Sequence, residues 1–280
     1  MSPLPKEYRR NRELQVVWEG KPPRQRVGLA LGGGAARGIA HVGVLQVLEE
    51  HDIPVDCIAG TSAGSIAGGF YAAGISPQRM EELVRDLKWL KIAAPTLPKL
   101  GFLNFDKIMP WIQETLGGDI TFADLRLPFA AVAADIVTGE LVVLNEGPLA
   151  AAMRASSSVP GIFTPLRYRE RLLVDGGILN NLPVSIARRL GGDYIIAVDL
   201  IPPGRVGGKE PRNLLELTIT SLYMLMRSTQ IDGLRANQVI LPDIGHIGLA
   251  ELHRAEELLA AGRAAAEAAI PEIKRDLGLE

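Results

Sequence analysis

The residues best suited to covalent chemistry lie in a turn at 60–64, which reads Gly-Thr-Ser-Ala-Gly and follows the largely apolar run 55–59. In a GxSxG pattern the glycines, here Gly60 and Gly64, permit a sharp passage from a strand into a helix that presents the serine hydroxyl for attack. Ser62 is therefore the candidate nucleophile, and the chemistry expected of it is acyl transfer.

A second glycine-rich turn precedes it, at 32–38, reading Gly-Gly-Gly-Ala-Ala-Arg-Gly after the apolar run 27–31. Successive residues without side chains allow several backbone N–H groups to approach one small anion closely. The amides of Gly32, Gly33 and Gly34 are therefore predicted to form an oxyanion hole for the charge that develops on an ester carbonyl.

An acid suited to assist the serine lies far downstream, where 171–177 reads Arg-Leu-Leu-Val-Asp-Gly-Gly. The short apolar run predicts a strand that ends at Asp175. Gly176 and Gly177 are expected to let the nucleophile's turn come near the carboxyl group.

The patterns GGGxxRG, GxSxG and DGG, in this order and each after an apolar strand, resemble the patatin-like phospholipase family. A further segment, 155–163, is also similar to that family, so the resemblance extends from about Val27 to beyond Leu200. It implies a catalytic dyad of Ser62 and Asp175 with no histidine. The other residues that it implies are the oxyanion-hole amides of Gly32 to Gly34 and the supporting residues Arg37, which holds the glycine loop, Gly38, Gly60, Gly64, Gly176 and Gly177.

A Ser–Asp dyad requires an unusual aspartate, because a free Asp has a pKa of about 3.9 and is a poor base near neutral pH. Partial burial of Asp175 and a hydrogen bond from Ser62 are expected to make the carboxyl a usable proton acceptor. The expected reaction is cleavage of a lipid carboxylic ester through an acyl-enzyme, which water then hydrolyses.

Other interpretations of the same turns were weighed. The first turn lacks the Lys of a P-loop and has Arg37 where a dinucleotide fingerprint needs Gly. A classical α/β-hydrolase with His246 as the base remains an alternative, although too little chain precedes the glycine loop for that fold. A lipid-binding or regulatory protein with little turnover is the alternative from another class. All four histidines, His41, His51, His246 and His253, are nevertheless expected to be dispensable for chemistry.

Composition narrows the partners. The chain has 280 residues, 47% hydrophobic and 22% charged, with a formal net charge of −2, which argues against nucleic acid. Four histidines without HxxxH spacing give no metal site, and no cofactor is expected. A single cysteine, Cys57, excludes an intrachain disulfide and favours a reducing, cytoplasmic location.

Charge is distributed unevenly. Residues 1–26 hold seven Lys or Arg and three Glu, whereas residues 27–280 hold 23 Lys or Arg and 29 Asp or Glu. We therefore expect a basic amino-terminal arm at 1–26 and one hydrolase domain at 27–280. The arm could attract an anionic membrane surface or pack on protein, and no signal peptide is expected because no apolar stretch follows its charges.

Alternating strand and helix patterns predict an α/β fold, a three-layer α/β/α sandwich with a mainly parallel central sheet. A helix over 214–236, apolar on more than one side, is expected to be buried between layers, with a subunit contact or a bilayer-facing patch as the less favoured alternatives. Residues 91–104 are expected to line an acyl-chain groove, form a flap or fill the core. The strands are predicted at 27–31, 55–60, 129–134, 140–144, 172–174, 194–200 and 238–241, and the other helices at 36–50, 63–74, 77–89, 105–116, 148–157, 183–190 and 250–269.

Overall fold

The chain folds around one eight-stranded sheet in the computed structural model, which describes residues 24–97, 100–201 and 210–279. The strands are β1 (Val27–Leu31), β2 (Cys57–Thr61), β3 (Ala94–Pro95), β4 (Gly101–Asn104), β5 (Phe129–Asp135), β6 (Leu141–Leu144), β7 (Gly161–Phe163), β8 (Leu166–Tyr168), β9 (Arg171–Asp175), β10 (Tyr194–Val198) and β11 (Gln238–Ile240). The main sheet has the order β11-β10-β1-β2-β5-β9-β8, with β6 also paired to β5, while β3, β4 and β7 form a small second sheet.

Helices cover both faces of the main sheet. They are α1 (Ala40–Glu50), α2 (Ala63–Ala72), α3 (Pro77–Arg85), α4 (Trp89–Ile92), α5 (Ile108–Leu116), α6 (Leu149–Ser156), α7 (Val184–Arg189), α8 (Leu214–Ser228) and α9 (Ala255–Leu277). Alternate residues of a strand point to opposite faces, so Leu29 of β1 joins the larger core whereas Ala30 packs in the smaller core that includes Ile186 of α7. The predicted α/β sandwich with a mainly parallel sheet is confirmed.

Strand direction changes at one side of the sheet. Strands β11, β10, β1, β2 and β5 are parallel, whereas β9 runs antiparallel to β5. Thr61, the last residue of β2, pairs with Val132, and β5 then continues for three more residues. Because β9 pairs with that extension, its last residue, Asp175, lies opposite Ala133. Asp175 therefore lies at the same height in the sheet as the end of β2, and one strand, β5, separates the two.

The expectation that α8 is buried between layers is wrong. Tyr223 and Met226 face the protein, but Leu217, Met224 and Leu225 are exposed, Met224 to 60%. The apolar run thus serves two environments, with one side packed on the protein and the other on its surface. The predicted helix also ends earlier, at Ser228, and continues as a 3-10 turn at Gln230–Arg235.

The closing helix is longer than predicted and runs through Pro271 to Leu277. It packs against α1, where a Cβ built on Gly262 would lie 2.1 Å from the carbonyl oxygen of Ala40. Since a side chain would clash there, glycine is what allows the two helices to approach. This contact anchors the helix that follows the glycine loop.

Two predicted segments are only partly described. Residues 1–23 of the basic arm lie outside the described residues, whereas the Arg24 guanidinium pairs with Asp56 at 2.7 Å. Within 91–104, the pairs of β3 and β4 form part of the small sheet, and residues 98–99 are again outside the description.

Candidate active site

Ser62 occupies a sharp turn between β2 and α2. Its backbone has φ 54° and ψ −124°, a conformation that non-glycine residues rarely adopt and that is a recurrent feature of functional sites. A Cβ built on Gly64 would lie 2.1 Å from the carbonyl oxygen of Leu31, so the turn can close on β1 only with glycine there. The sequence expectation for this turn matches the observed backbone.

Asp175 is fully buried, and its environment changes its acidity. Its Oδ1 accepts a hydrogen bond of 2.8 Å from the Gly177 amide. Burial raises the pKa of the carboxyl to about 7, against the opposing effects of the Ser62 hydroxyl and the Gly177 amide. Desolvation wins because an isolated carboxylate loses far more solvation than two hydrogen bonds restore.

Ser62 and Asp175 are thus neighbours, but the hydrogen bond expected between their side chains is not fully formed. The serine hydroxyl is near enough to lower the pKa of the carboxyl, yet Asp175 Oδ2 has no hydrogen-bond partner in good geometry among the described residues. One carboxylate oxygen of Asp175 is therefore available beside Ser62. Catalytic hydrogen bonds commonly tighten only when substrate is bound.

The three glycine amides of the first turn are not equivalent. The Gly32 amide donates to Val198 O at 3.1 Å and the Gly33 amide to Asn181 O at 3.2 Å. Within the described part of the chain, only the Gly34 amide of this triplet has no such partner. Two of the three amides predicted to form an oxyanion hole are therefore already hydrogen-bonded within the protein, which leaves the Gly34 amide as the candidate donor of this triplet.

Arg37 and His41 fix this loop from behind. The Arg37 guanidinium is buried and donates to carbonyl oxygens of Ile247 at 2.9 Å, Gly245 at 3.3 Å and Leu200 at 3.4 Å. His41 Nε2 lies 2.8 Å from Gly32 O, and burial lowers the pKa of its imidazole to about 4. His41 is consequently neutral at pH 7 and donates to that carbonyl.

The family-like segment 155–163 supports both Ser62 and Asp175, a role that the sequence alone did not assign. The Ser62 amide donates to Ser156 Oγ at 3.0 Å, and the Ser156 hydroxyl donates to Val132 O at 2.6 Å. The Asp175 amide donates to Ser158 O at 2.9 Å. One segment therefore sets the backbone positions of nucleophile and acid together.

Asn181 was also missed by the sequence analysis, although it follows the DGG pattern by only four residues. Its side chain is fully buried and lies between the two glycine turns, since Cβ atoms built on Gly33 and on Gly177 would lie 2.5 Å and 2.8 Å from its Oδ1. The available signal was a pair of asparagines separated by one leucine from a proline, a pattern that alone has no defined chemistry.

An apolar pocket is lined by Ala35 and Ala63, the residues that directly follow Gly34 and Ser62 in the chain. The space between its walls, with the open solvent at its mouth included, is about 580 Å³. The remaining wall comes mainly from α2, α3 and α5, with Ile92 as the contribution of the 91–104 segment. The lining residues are Ala35, Gly38, Ile39, Val42, Ala63, Ile66, Ala67, Phe70, Met80, Leu83, Val84, Leu87, Ile92, Ile108, Trp111 and Leu252.

The remaining histidines lie in ion pairs or at the surface. His246 is exposed and its Nε2 contacts Glu257 Oε1 at 2.7 Å, while His51 contacts Glu267 at 2.9 Å. In the described residues no hydrogen bond joins His246 to Ser62 or Asp175. Across 24–97, 100–201 and 210–279, no His, Cys, Asp or Glu side chains are grouped so as to hold a metal ion.

An α/β sheet with a serine on a strand-to-helix turn and a buried aspartate beside it defines a hydrolase-like scaffold. The family model described as "Patatin-like phospholipase" matches residues 29–188. The chain belongs to the patatin-like phospholipase family, which confirms the resemblance drawn from its motifs.

Individual relatives agree. An uncharacterised NTE family protein of Mycobacterium tuberculosis is 32% identical over 272 residues, covering 87% of this chain and 46% of its own length. Lysophospholipase NTE1 of Meyerozyma guilliermondii is 34% identical over 206 residues, covering 71% of this chain and 14% of its own length. The crystal structure of VipD from Legionella pneumophila has a TM-score of 0.63 at 14% identity, covering 89% of this chain and 67% of VipD, which shows a shared fold.

The match to relatives is partial in length. The chain spans about half the length of the curated mycobacterial relatives that it matches. Within the described residues, no helix is long and apolar enough to cross a bilayer.

Proposed function

We propose that this protein is a serine acyl hydrolase that cleaves carboxylic esters of lipids with a dyad of Ser62 and Asp175. The observation that carries the proposal is a fully buried carboxyl with a pKa of about 7 beside a serine in a strained turn. A base whose pKa lies near the working pH combines a useful ionised fraction with strong proton affinity. No histidine is then needed.

In the first half of the reaction, Asp175 takes the Ser62 proton as Oγ attacks the ester carbonyl carbon. The tetrahedral intermediate collapses when the bond to the leaving alcohol breaks, and the alkoxide takes up the proton held by Asp175. An acyl-enzyme remains on Ser62. In the second half, water loses its proton to Asp175, its oxygen attacks the acyl carbon, and Ser62 Oγ leaves and recovers that proton.

Two amides are placed to stabilise the carbonyl oxygen during both halves. The Gly34 amide is the donor of the glycine triplet with no partner among the described residues. The Ala63 amide follows the nucleophile at the first position of α2, where helix N–H groups lack intrahelical partners. A pair formed by the residue after the nucleophile and a glycine-loop amide is the arrangement used by other serine hydrolases.

An acyl chain is the substrate portion that the apolar pocket suits. The pocket begins at Ala35 and Ala63, beside the proposed oxyanion donors, and its wall is almost entirely apolar. Each methylene taken from water into such an environment contributes about 0.8 kcal/mol. The name lysophospholipase carried by the Meyerozyma relative supports a lipid ester, without specifying head group or chain length for this protein.

We further propose that the substrate is met at a lipid surface, with the protein cytoplasmic and peripheral to the membrane. Exposed apolar side chains on α8 and on the 90–102 segment support this contact: Leu90, Leu97, Leu100, Phe102, Leu217, Met224 and Leu225. Exposed apolar side chains mark protein or membrane contacts where they form an extended patch.

Labelling with a fluorophosphonate probe tests the assignment. The probe should modify Ser62 and abolish hydrolysis of a short p-nitrophenyl ester, whereas Ser62→Ala should remain folded and unlabelled. Ser65, also in α2 and buried with its hydroxyl bonded to Ser62 O at 2.7 Å, provides the matched control variant Ser65→Ala, which should still be labelled. Folded wild-type protein that is not labelled at Ser62 would favour a lipid-binding function instead.

A further inference from the structure

We propose that Asn181 is a catalytic residue that binds and orients the water molecule for hydrolysis of the acyl-enzyme. The proposed water-binding site consists of two buried acceptors near Ser62, Asn181 Oδ1 and Asp175 Oδ2. This inference rests on the proposed function, because it assigns a residue to the second half of that reaction.

The side-chain oxygen of Asn181 lies close to both Ser62 and Asp175. A Cβ built on Gly33 would lie 2.5 Å from Asn181 Oδ1 and 3.0 Å from Ser62 Cβ, so both groups flank one point beside the glycine loop. A Cβ built on Gly177 would lie 2.8 Å from the same oxygen and 3.1 Å from Asp175 Oδ1. The amide oxygen therefore adjoins both the nucleophile and the acid.

The hydrogen bond on the other side of the amide fixes which atom faces the dyad. Asn181 Nδ2 donates to Gly33 O at 3.4 Å. A flipped amide would place its oxygen against that carbonyl oxygen, and two acceptors repel one another. Oδ1 must therefore be the atom directed at Ser62 and Asp175.

Both proposed acceptors lack donors. Asn181 and Asp175 are fully buried, and neither Asn181 Oδ1 nor Asp175 Oδ2 has a hydrogen-bond partner among the described residues. Unsatisfied polar atoms are uncommon in protein interiors, and at functional sites they often indicate a place for a bound water or ligand. Two such atoms beside one nucleophile are best explained by a shared partner.

Water has the hydrogen-bonding groups that this pair requires. Its two O–H groups donate to Asn181 Oδ1 and Asp175 Oδ2, which leaves a lone pair of the water oxygen for the acyl carbon on Ser62. As the new C–O bond forms, the proton on the Asp175 side passes to Oδ2. The other proton stays on the water oxygen and remains hydrogen-bonded to Asn181 Oδ1. Collapse then breaks the bond from Ser62 Oγ to the acyl carbon, and the proton on Asp175 returns to Oγ.

Acylation needs no such water, so the two halves of the reaction should respond differently to Asn181→Ala. We expect the rate of fluorophosphonate labelling to change little and the deacylation rate to fall about tenfold, the effect of losing one positioned hydrogen bond. Stopped-flow measurements with p-nitrophenyl butyrate should then show one equivalent of p-nitrophenol released rapidly before a slow steady state. Intact-protein mass spectrometry should show the butyryl adduct.

A nucleophile that does not depend on the water site gives a second measurement. Hydroxylamine should release the acyl group from the Asn181→Ala enzyme and restore turnover toward the wild-type rate, a response that loss of folding cannot produce. Asn180→Ala is the matched control: the Asn180 side chain donates to Asp232 at 3.3 Å, so both halves should proceed at wild-type rates. If Asn181→Ala does not fold, Asn181→Ser is the test variant in which the rates of labelling and deacylation are compared.

Equal decreases in labelling and deacylation would overturn this assignment, because they would indicate a general loss of site geometry. An acyl adduct that does not accumulate in either Asn181 variant would also overturn it. If the proposed function itself is wrong, the wild-type enzyme will form no adduct on Ser62, so the two failures are distinguishable.

Discussion

Replacing Asp175 by Asn should make the protein more stable while making it nearly inactive. The buried carboxyl has its pKa raised from 3.8 to about 7, so the folded state binds a proton more tightly than the unfolded state does. At about 1.4 kcal/mol per pKa unit, ionising Asp175 in the folded protein costs about 4 kcal/mol. Asparagine has the shape of the neutral acid and keeps an acceptor for the Gly177 amide, but it removes that cost.

The direction of the Asp175 pKa shift determines the pH range in which the wild-type protein and Asp175→Asn differ in stability. Below about pH 4 the carboxyl is protonated in both states, and the two proteins should be equally stable. Between about pH 4 and 7 only the unfolded chain ionises, so wild-type stability falls as pH rises; above about pH 7 the loss is complete. The difference in unfolding free energy should therefore grow from near zero at pH 4 to about 4 kcal/mol at pH 8 in favour of Asp175→Asn.

Urea denaturation from pH 4 to 8 measures this difference, and hydrolysis of a p-nitrophenyl ester gives the activity. The variant should lose activity by a factor of about 10²–10⁴, as expected when a general base is removed. Wild-type kcat/KM should rise with pH and level off above about pH 7, because the base must be ionised. Asp199→Asn is a suitable control, since that buried carboxyl also has a raised pKa but accepts hydrogen bonds from Ile201 and Gln230; it should retain activity.

A stability difference that does not change between pH 4 and 8 would refute the reasoning, because it would mean that Asp175 is not held neutral by burial. Near-normal activity of Asp175→Asn would refute its role as the base. The two results are independent, so each part of the argument can fail separately.

Three further outcomes follow from the site. Gly33→Val should abolish esterase activity in folded protein, because its Cβ would lie 3.0 Å from Ser62 Cβ; circular dichroism and a rate assay measure both. His246→Ala should keep wild-type activity, since that imidazole is exposed and paired with Glu257; loss of activity in folded protein would favour the α/β-hydrolase alternative. Ala67→Phe should narrow the pocket, lowering kcat/KM for long-chain relative to butyryl esters by about fourfold per excluded methylene; an unchanged chain-length profile would move the acyl chain elsewhere.

The nucleophile turn was predictable from sequence because its constraints are local. Glycine at 60 and 64 is required by contacts within the turn and with the adjacent strand: a Cβ built on Gly60 would lie 2.4 Å from Gly64 O. Such steric requirements limit the residue type itself, and they therefore appear in the sequence as a pattern. Apolar runs are also local, and the seven strands predicted from them end within two residues of observed strands, whereas β3, β4, β7 and β8 were not predicted.

The sequence did not reveal that the Gly32 and Gly33 amides are hydrogen-bonded within the protein, whereas the Gly34 amide has no such partner among the described residues. The partners of the Gly32 and Gly33 amides are carbonyl oxygens of Val198 and Asn181, which come from segments more than 140 positions away. Backbone carbonyls are present at every residue, so no residue type reveals that such a contact exists. The antiparallel direction of β9 was hidden for the same reason, since pairing depends on backbone register.

The exposed side of α8 shows a further limit of pattern reading. An apolar run on several sides of a helix indicates burial only if every side has a protein partner. Here Tyr223 and Met226 pack against the protein, close to Ala35 and Ile178, while Met224 faces outward. The pattern reported the total apolar surface correctly but not what covers it.

The features that favour catalysis at this site also oppose folding, and the rest of the protein must offset them. Ser62 holds a backbone conformation that costs about 1–3 kcal/mol, and ionising the buried Asp175 carboxyl costs about 4 kcal/mol more because its pKa is raised to about 7. Together these approach the total stability of an ordinary domain, which is about 5–15 kcal/mol. The buried segment 156–158 and the hydrogen bonds of Arg37 are what hold this geometry, so substitutions there should lower stability and activity together, whereas Asp175→Asn should separate them.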